Sequence, residues 1–369
     1  MRKGWEYKSF ETCINKLPKA KQVKTSEYSS GTKYPIISQE DKLISGYYDD
    51  ESYVFHIDSP VVIFGDHTRV LKYIDFDFVV GADGVKIISP QKDLNAKFLL
   101  YYLQWYKIPN LGYSRHYKLL REIKIPLPPQ STQLAIVSEL DKINELIRLK
   151  KEQLKDFDNL AQSLFFEMFG DPVENEKGWE VKKLNEIVSD NCSISYGIVQ
   201  PGDGVENGVP VVRPVDMTKT FVSRKGLKNT TKEISDSYKR TILKGNEILM
   251  CVRGTTGLIS MATPELQGCN VTRGIAPIEC GPTCDKWFVF YQILNPAIQH
   301  HIAEYTRGIA LKQINMKDVR DIPLCLPPLS LQRLFAQRIE QIEREKSEVQ
   351  KSIQDLETLL ASRMQYWFE

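Results

Sequence analysis

The sequence predicts an α+β fold made of two mixed α/β globular parts, each followed by one long helix, with the two halves related by an internal repeat. Three observations carry that prediction. Lys3-Gly4-Trp5-Glu6 returns as Lys177-Gly178-Trp179-Glu180, although tryptophan occurs only five times in 369 residues. Setting residue n against n+199 near the ends of the halves gives an ungapped match over about fifty residues. Inside that match lie two apolar stripes at heptad spacing.

Near the start of each half the offset is about 175: 174 for the tetrapeptide and 175 for Tyr34-Pro35-Ile36-Ile37 over Val209-Pro210-Val211-Val212. Runs such as Val61 to Phe64, Phe76 to Val80, Val209 to Val212 and Glu247 to Val252 read as short strands between Gly and Asn turns. No parallel strand-helix-strand alternation is visible. The offset grows to 190 at Gly84-Val85 over Gly274-Ile275, so the second copy is expected to carry loop insertions. Ala96 to Trp105 and Asp285 to Leu294 read as amphipathic helices. At offset 199 come Arg121-Glu122-Ile123 over Arg320-Asp321-Ile322, Leu127-Pro128-Pro129 over Leu326-Pro327-Pro328, and Gln133 over Gln332.

After each Pro-Pro a long helix is expected, with Ser131 or Ser330 as its N-cap and Gly170-Asp171-Pro172 closing the first. Its apolar stripe runs through Ile136, Leu140, Ile143, Ile147, Leu154 and Phe157, and in the second copy through Phe335, Ile339, Ile342, Val349, Ile353 and Leu356, interrupted by Lys150, Lys346 and Arg363. A run of about 38 residues would be about 57 Å long. That length favours a helix-helix seam over two surface helices packed on their own domains.

Composition bounds the rest. With 42% hydrophobic residues the chain can fill two or three cores, and no uncharged apolar run or leader-like start points to a membrane or to export, so a cytoplasmic location is expected. The seven cysteines read as reduced thiols, and Cys280 with Cys284, the only close pair, lacks the second pair a zinc site needs. Net charge is +2, with 19 basic against 15 acidic residues in 1–130 and an acidic excess in both predicted long helices.

Catalytic patterns are scarce in the sequence. There is no phosphate-cradling loop, since Gly202-Asp203-Gly204 lacks the lysine and spacing, and no Asp/Asn-Pro-Pro-aromatic tetrapeptide of amino-methyltransferases. Asp171 with Glu180-Val181-Lys182 imitates the acid-and-lysine layout of a metal-dependent nuclease, but an acidic-x-Lys tripeptide is common by chance and Glu180 belongs to the repeat. The five histidines have no ligand spacing. What stands out instead are cations beside Gly and Thr at strand ends: Arg213, Arg253 with Thr255, Arg273, Arg307 and Lys312 in the second half, and Arg69, Lys86, Arg115 and Lys118 in the first. Such groups present forked donors, hydroxyls and backbone N–H groups suited to phosphates and guanine edges.

With Ile125-Pro126-Leu127-Pro128-Pro129-Gln130, Phe165-Phe166-Glu167-Met168-Phe169-Gly170-Asp171 and the strand-turn from Glu247 to Gly254, the whole chain resembles the specificity subunit of type I restriction-modification systems. The resemblance implies target recognition domains at 1–125 and 171–324, each reading one part of a bipartite site in double-stranded DNA, and spacer helices at 126–170 and 325–369 paired as an antiparallel coiled coil. It also implies two modification subunits that bind S-adenosylmethionine, a restriction subunit that uses ATP and Mg, and no catalytic site, cofactor or metal in this chain. One departure is the Gly65-Asp66-His67-Thr68-Arg69 stretch, which stands where the second half has Arg253-Gly254-Thr255-Thr256-Gly257. Other readings are an adaptor whose helices dock partners without reading sequence, and a self-contained DNA methyltransferase or nuclease.

Overall fold

The computed structural model describes residues 4–31, 33–112, 114–308 and 312–369. Lys3 of the repeated tetrapeptide and Tyr113 beside the first-half cations lie outside them. Two compact units emerge, Met1–Glu152 with Gln350–Glu369, and Gln153–Val349. The sequence expectation divided the chain at the ends of the long helices; the compact units instead each contain a variable part and portions of both helices.

In the first unit, β1 (Glu6–Ser9), β2 (Tyr34–Ile37), β3 (Gly46–Tyr48), β4 (Val54–Phe55), β5 (Val61–Gly65), β6 (Leu71–Ile74), β7 (Phe78–Val80) and β8 (Val85–Ile88) precede helices α1 (Ala96–Tyr106) and α2 (Tyr117–Leu120) and strand β9 (Lys124–Leu127). Helix α3 (Gln130–Phe169) follows and enters the second unit. There come β10 (Glu180–Lys183), α4 (Leu184–Ile187), β11 (Val209–Val212), β12 (Lys228–Thr230), α5 (Lys232–Asp236), β13 (Ile248–Cys251), β14 (Ile259–Met261), β15 (Asn270–Val271) and β16 (Ile275–Ile278). Helices α6 (Lys286–Leu294), α7 (Pro296–Glu304) and α8 (Met316–Arg320), strand β17 (Pro323–Leu326) and helix α9 (Leu329–Phe368) complete the chain.

The sheets have matching orders. In the first unit β5 lies between β6 and β8, and β2 between antiparallel β3 and parallel β7 with β4 on the far edge. In the second, β13 lies between β14 and β16, and β11 between antiparallel β12 and parallel β15. Parallel pairs therefore occur, but inside mixed sheets and without the helical crossovers of a parallel fold. Lys97-Phe98 over Lys286-Trp287 sets the offset at 189, and the ten residues that raise it to 199 fall between α6 and α8, where α7 lies.

The repeated tetrapeptide now has a cause. It leads into β1 and β10, which pair antiparallel with the strands ending in Leu-Pro-Pro: Glu6 faces Leu127 and Glu180 faces Leu326. Each variable part is thereby closed at its neck. Trp179 Nε1 donates to the Phe169 carbonyl at 3.0 Å, and Lys177 Nζ donates to the carbonyls of Glu167 (2.8 Å) and Met168 (2.9 Å), satisfying acceptors left open at the end of α3. Gly170, at φ +77°, turns the chain out of that helix.

Gln133 and Gln332 are both completely buried. Gln133 accepts from the Asn95 amide (2.8 Å) and donates to the carbonyls of Asp93 (2.8 Å) and Pro128 (3.0 Å); Gln332 accepts from the Asp285 amide (2.9 Å) and donates to the Pro327 carbonyl (2.7 Å). They rivet the start of each long helix to the start of the amphipathic helix in its own variable part. The expected serine caps are corrected here. Both helices begin before Ser131 and Ser330, and the carbonyls of Pro129 and Pro328 accept the first helical amides, at 2.8 Å from Thr132 and 2.9 Å from Leu331. Proline suits this place because its fixed φ is helical and it has no N–H to leave unmet.

Within the first unit the beginning of α3 meets the end of α9. Glu139 accepts hydrogen bonds from the Arg363 guanidinium and from Trp367 Nε1 (3.0 Å), and Lys151 pairs with Glu357 at 2.9 Å. Within the second, the end of α3 meets the beginning of α9: Lys346 Nζ lies 2.8 Å from Asp158 and 2.7 Å from Glu343, and Phe165 and Phe169 pack on Phe335. Numbers rise on one helix as they fall on the other in both places. Of the stripe, Ile136, Leu140, Ile143, Ile147, Phe335, Ile339, Ile342, Val349 and Ile353 are buried, while Leu154, Phe157 and Leu356 are half-buried. Ile136 and Leu140 share a core with Phe98, Leu99 and Phe368, and Phe335, Ile339 and Ile342 share one with Phe288, Ala161 and Phe165.

Candidate nucleic-acid interface

In the second unit, the chain leaving β13 is pinned on two sides. The Val252 amide donates to the Gly274 carbonyl (2.8 Å), and the Val252 carbonyl accepts from the Ile314 amide (3.0 Å). Arg253 and Arg307 both bridge to Gln313, the Gly254 amide donates to the Lys312 carbonyl (2.8 Å), and the Thr256 and Thr306 hydroxyls are 3.1 Å apart. Three loops bearing Arg253, Thr255, Arg273, Arg307 and Lys312 therefore meet at one end of the unit. Gly254 (φ +92°) and Gly257 (φ +86°) make the first loop's turn. A side chain at Gly254 would meet nothing within 4 Å, so the loop is open outward.

The charges there are unneutralised. Arg273, Arg307, Lys312 and Thr255 are exposed and Arg253 is half-buried. Among the described residues none of these four cations forms an ion pair with a carboxylate, and the buried Arg253 Nε has no hydrogen-bond partner. Elsewhere in the same unit Lys183 pairs with Asp321 (2.8 Å) and Lys244 with Glu279 (2.6 Å). Arg213 reaches the same end through the 3.0 Å bond from the Thr272 amide to the Val212 carbonyl. Its fork, however, grips Asp216 through Nε (2.9 Å) and Nη2 (2.7 Å), which lifts the guanidinium pKa further and leaves it a structural clamp.

The first unit has the same loop crossing with different chemistry. The Asp66 amide donates to the Gly84 carbonyl (2.7 Å) and the Asp66 carbonyl accepts from the His116 amide (2.8 Å), as Val252 does with Gly274 and Ile314. Asp66 is buried. One carboxylate oxygen accepts from the Tyr117 amide (2.8 Å), and the other lies 3.7 Å from Lys86 Nζ, which also sits 5.7 Å from the Tyr117 ring centre. His116, fully buried, donates from Nδ1 to the Asp66 carbonyl (2.9 Å) and accepts at Nε2 from the Leu111 amide (3.0 Å). Arg69, at φ +63°, sends Nη1 to the Ile108 carbonyl (3.1 Å). Arg115 and Lys118 are exposed beside His116 and Tyr117. Of the four predicted cations Lys86 lies against the buried Asp66, and the others are on the segments beside it; the sequence named Asp66 only as part of the Gly65–Arg69 stretch, because a carboxylate in a turn carries no local mark of burial.

The rejected motifs are structural here. Asp171 accepts from the amides of Val173 (2.7 Å) and Glu174 (3.2 Å), and Glu180 pairs with Lys182. His56 pairs with Asp77 and His300 with Glu304. Among the described residues no three His, Cys, Asp or Glu side chains converge as a metal site, and all seven cysteines are thiols. Among the described residues no helix is long and apolar enough to cross a membrane.

A family model described as the type I restriction modification DNA specificity domain matches residues 3–156 and 176–358, more than half of the chain. The chain belongs to this family. Among curated members it is 24% identical over 260 residues to the EcoBI specificity subunit of Escherichia coli, covering 64% of this chain and 55% of that protein. It is also 24% identical over 318 residues to the putative MjaX specificity subunit of Methanocaldococcus jannaschii, covering 77% and 72%. The chain thus spans little more than half the length of the EcoBI relative. Solved structures share the fold: a chain from a study of type I R-M complex assembly and conformational transition, 18% identical with a TM-score of 0.56 over 100% of this chain and 98% of that one, and the S subunit from M. genitalium, 14% identical with a TM-score of 0.55 over 98% and 95%.

Proposed function

We propose that this type I specificity-domain protein is the non-catalytic DNA-reading subunit of a cytoplasmic restriction-modification complex, with each unit reading one word of a bipartite double-stranded site. The observation that carries the reading is the convergence of Arg253, Arg273, Arg307 and Lys312, without carboxylate partners among the described residues, at one end of the second unit. Unpaired cations on converging loops keep their charge for phosphates, and arginine among them supplies the forked donor that suits a guanine edge. Arg69, Lys86, Arg115 and Lys118 serve the first word. Because Asp66 and Lys86 replace Val252 and Ala276 at matching sheet positions, the two words differ.

The long helices are the spacer of this proposal, an antiparallel coiled coil relating the halves by a pseudo-two-fold. The opposed contacts inside each unit support it. Leu160 and Leu359, 199 residues apart and both about half exposed, support docking of two copies of one partner, the modification subunit. S-adenosylmethionine is handled by that partner, and ATP and Mg by a restriction subunit.

The test is an exchange of residues 1–129 with those of another family member. The cut falls beyond β9, because a cut at 125 would split the strand that pairs with β1. One word should change and the other persist. A change in both words refutes independent readers.

A further inference from the structure

We infer that Lys72 and Ser260 are positioning residues for the two words, each holding a loop, after β2 in one unit and after β11 in the other, that props the cation-bearing turns in reading geometry; the inference rests on the DNA-reading function proposed above. The two residues occupy the same place in their sheets. Lys72 of β6 stands opposite Ile63 of β5, and Ser260 of β14 stands opposite Leu249 of β13. Both are buried, Lys72 to 5% exposure and Ser260 completely. A ladder position flanked by Ile74 in one sheet and by Ile259 and Met261 in the other would be filled at lower cost by an apolar side chain.

Each instead sends a donor to the loop that follows the central strand of the neighbouring sheet. Lys72 Nζ donates to the carbonyls of Ser38 (2.9 Å) and Lys42 (2.5 Å) after β2, and Ser260 Oγ donates to the carbonyl of Lys219 (2.8 Å) after β11. No carboxylate pairs with Lys72 among the described residues, and burial lowers its ammonium pKa against the pull of Glu40 and Asp41. A buried cation that meets only backbone carbonyls is expensive to keep. Two different donors at one sheet position, aimed at one loop in both units, mark a shared purpose.

The purpose lies in what those loops support. In the first unit Gln39 donates from Nε2 to the Asp83 carbonyl (3.0 Å), accepts at Oε1 from the His67 amide (3.2 Å), and its carbonyl accepts from Thr68 Oγ1 (2.7 Å). The loop held by Lys72 thereby fixes the turn that carries Arg69 and the turn that leads into β8, where Lys86 stands. Gly84, at φ +95°, leaves room for this, since a Cβ there would stand 2.7 Å from Gln39 Oε1. In the second unit Pro214, on the loop held by Ser260, fills the space above Gly274, where a Cβ would lie 2.7 Å from its ring. That contact seats the turn bearing Arg273.

The test co-expresses the wild-type chain, Lys72→Met, Ser260→Ala and Ser260→Thr separately with the modification subunit encoded beside it, in a host free of N6-methyladenine, and maps that base across the genome. Ser260→Ala deletes one hydrogen bond and should raise methylation of single-base variants of one word about fivefold relative to the cognate site, with the other word and the gap unchanged. Ser260→Thr, which keeps the hydroxyl, should restore stringency. Lys72→Met should relax the opposite word about tenfold or more, having lost two bonds. The undisturbed word in each variant reports that the protein is folded. If Lys72→Met yields no methylation, Ser260→Ala decides alone. Unchanged stringency in Ser260→Ala, or both words relaxed together, overturns the positioning role while leaving the reading function intact. A wild-type complex that gives no bipartite motif overturns both.

Discussion

Replacing Gln133 by leucine removes three hydrogen bonds at a fully buried position and leaves the Asn95 amide and the carbonyls of Asp93 and Pro128 without their partner. Replacing Gln332 removes two, from the Asp285 amide and to the Pro327 carbonyl. At about 1 kcal/mol net for each bond, the expected losses are about 3 and about 2 kcal/mol. Leucine fills a similar volume, so cavity formation adds little. Urea titration of the two variants gives the global values. Hydrogen exchange over residues 93–98 and 128–137 for the first variant, and 285–290 and 327–336 for the second, gives the local ones. A local opening cost reduced by about 3 kcal/mol corresponds to protection lower by about two orders of magnitude, because 1.4 kcal/mol is a factor of ten. Both variants within about 0.5 kcal/mol of wild type, or protection lost in the unit not mutated, would refute the rivet that explains why glutamine recurs 199 residues on.

Other perturbations separate reading from holding. Arg253→Ala should relax discrimination at a single base pair by about 1–3 kcal/mol, seen as one degenerate position in the methylated motif. Lys312→Ala should weaken DNA binding uniformly across sequences and lower the salt slope of log K by about 0.9 for one lost phosphate contact, read by anisotropy titrations between low and moderate salt. Glu139 is held below its ordinary pKa by the hydrogen bond from Arg363, with Trp367 adding to it. Its stabilisation is therefore complete above the unfolded carboxylate pKa of 4.5 and is lost as pH falls through the lower folded value. The stability difference between wild type and Arg363→Met should accordingly shrink from pH 6 to pH 3, and a gap that widens on acidification would contradict the ion pair.

Much of the fold was legible because its signals are local or periodic. Gly170-Asp171-Pro172 is a local helix stop, the heptad stripe follows from spacing, and a duplicated tetrapeptide declares itself without geometry. The same periodicity could not separate a helix seam from a stripe facing a domain. Ile136, Leu140, Phe335 and Ile339 in fact join the cores of the variable parts. The serine caps failed for a related reason: Pro128-Pro129 and Pro327-Pro328 start the helices earlier, and preference alone cannot rank a proline carbonyl against a serine hydroxyl. At the candidate interface the cations were legible as types beside Gly and Thr, but their partners were not. Arg213 is held by Asp216, three residues on, a spacing visible in the chain yet common on any surface. Lys72, Ser260, Gln39 and Asp66 gain their roles from strands and loops 28 to 51 residues away, and one polar residue in a strand carries no mark of which way it faces.

The most direct test of the central claim is to express the chain with its neighbouring modification subunit in a methylation-free host and sequence N6-methyladenine genome-wide, with and without this chain. A single motif of two unlike words separated by an unread gap of fixed length, absent when the chain is omitted, is the predicted result. Methylation that is scattered, contiguous in its sequence requirement, or indifferent to the chain would contradict the assignment of a bipartite reader.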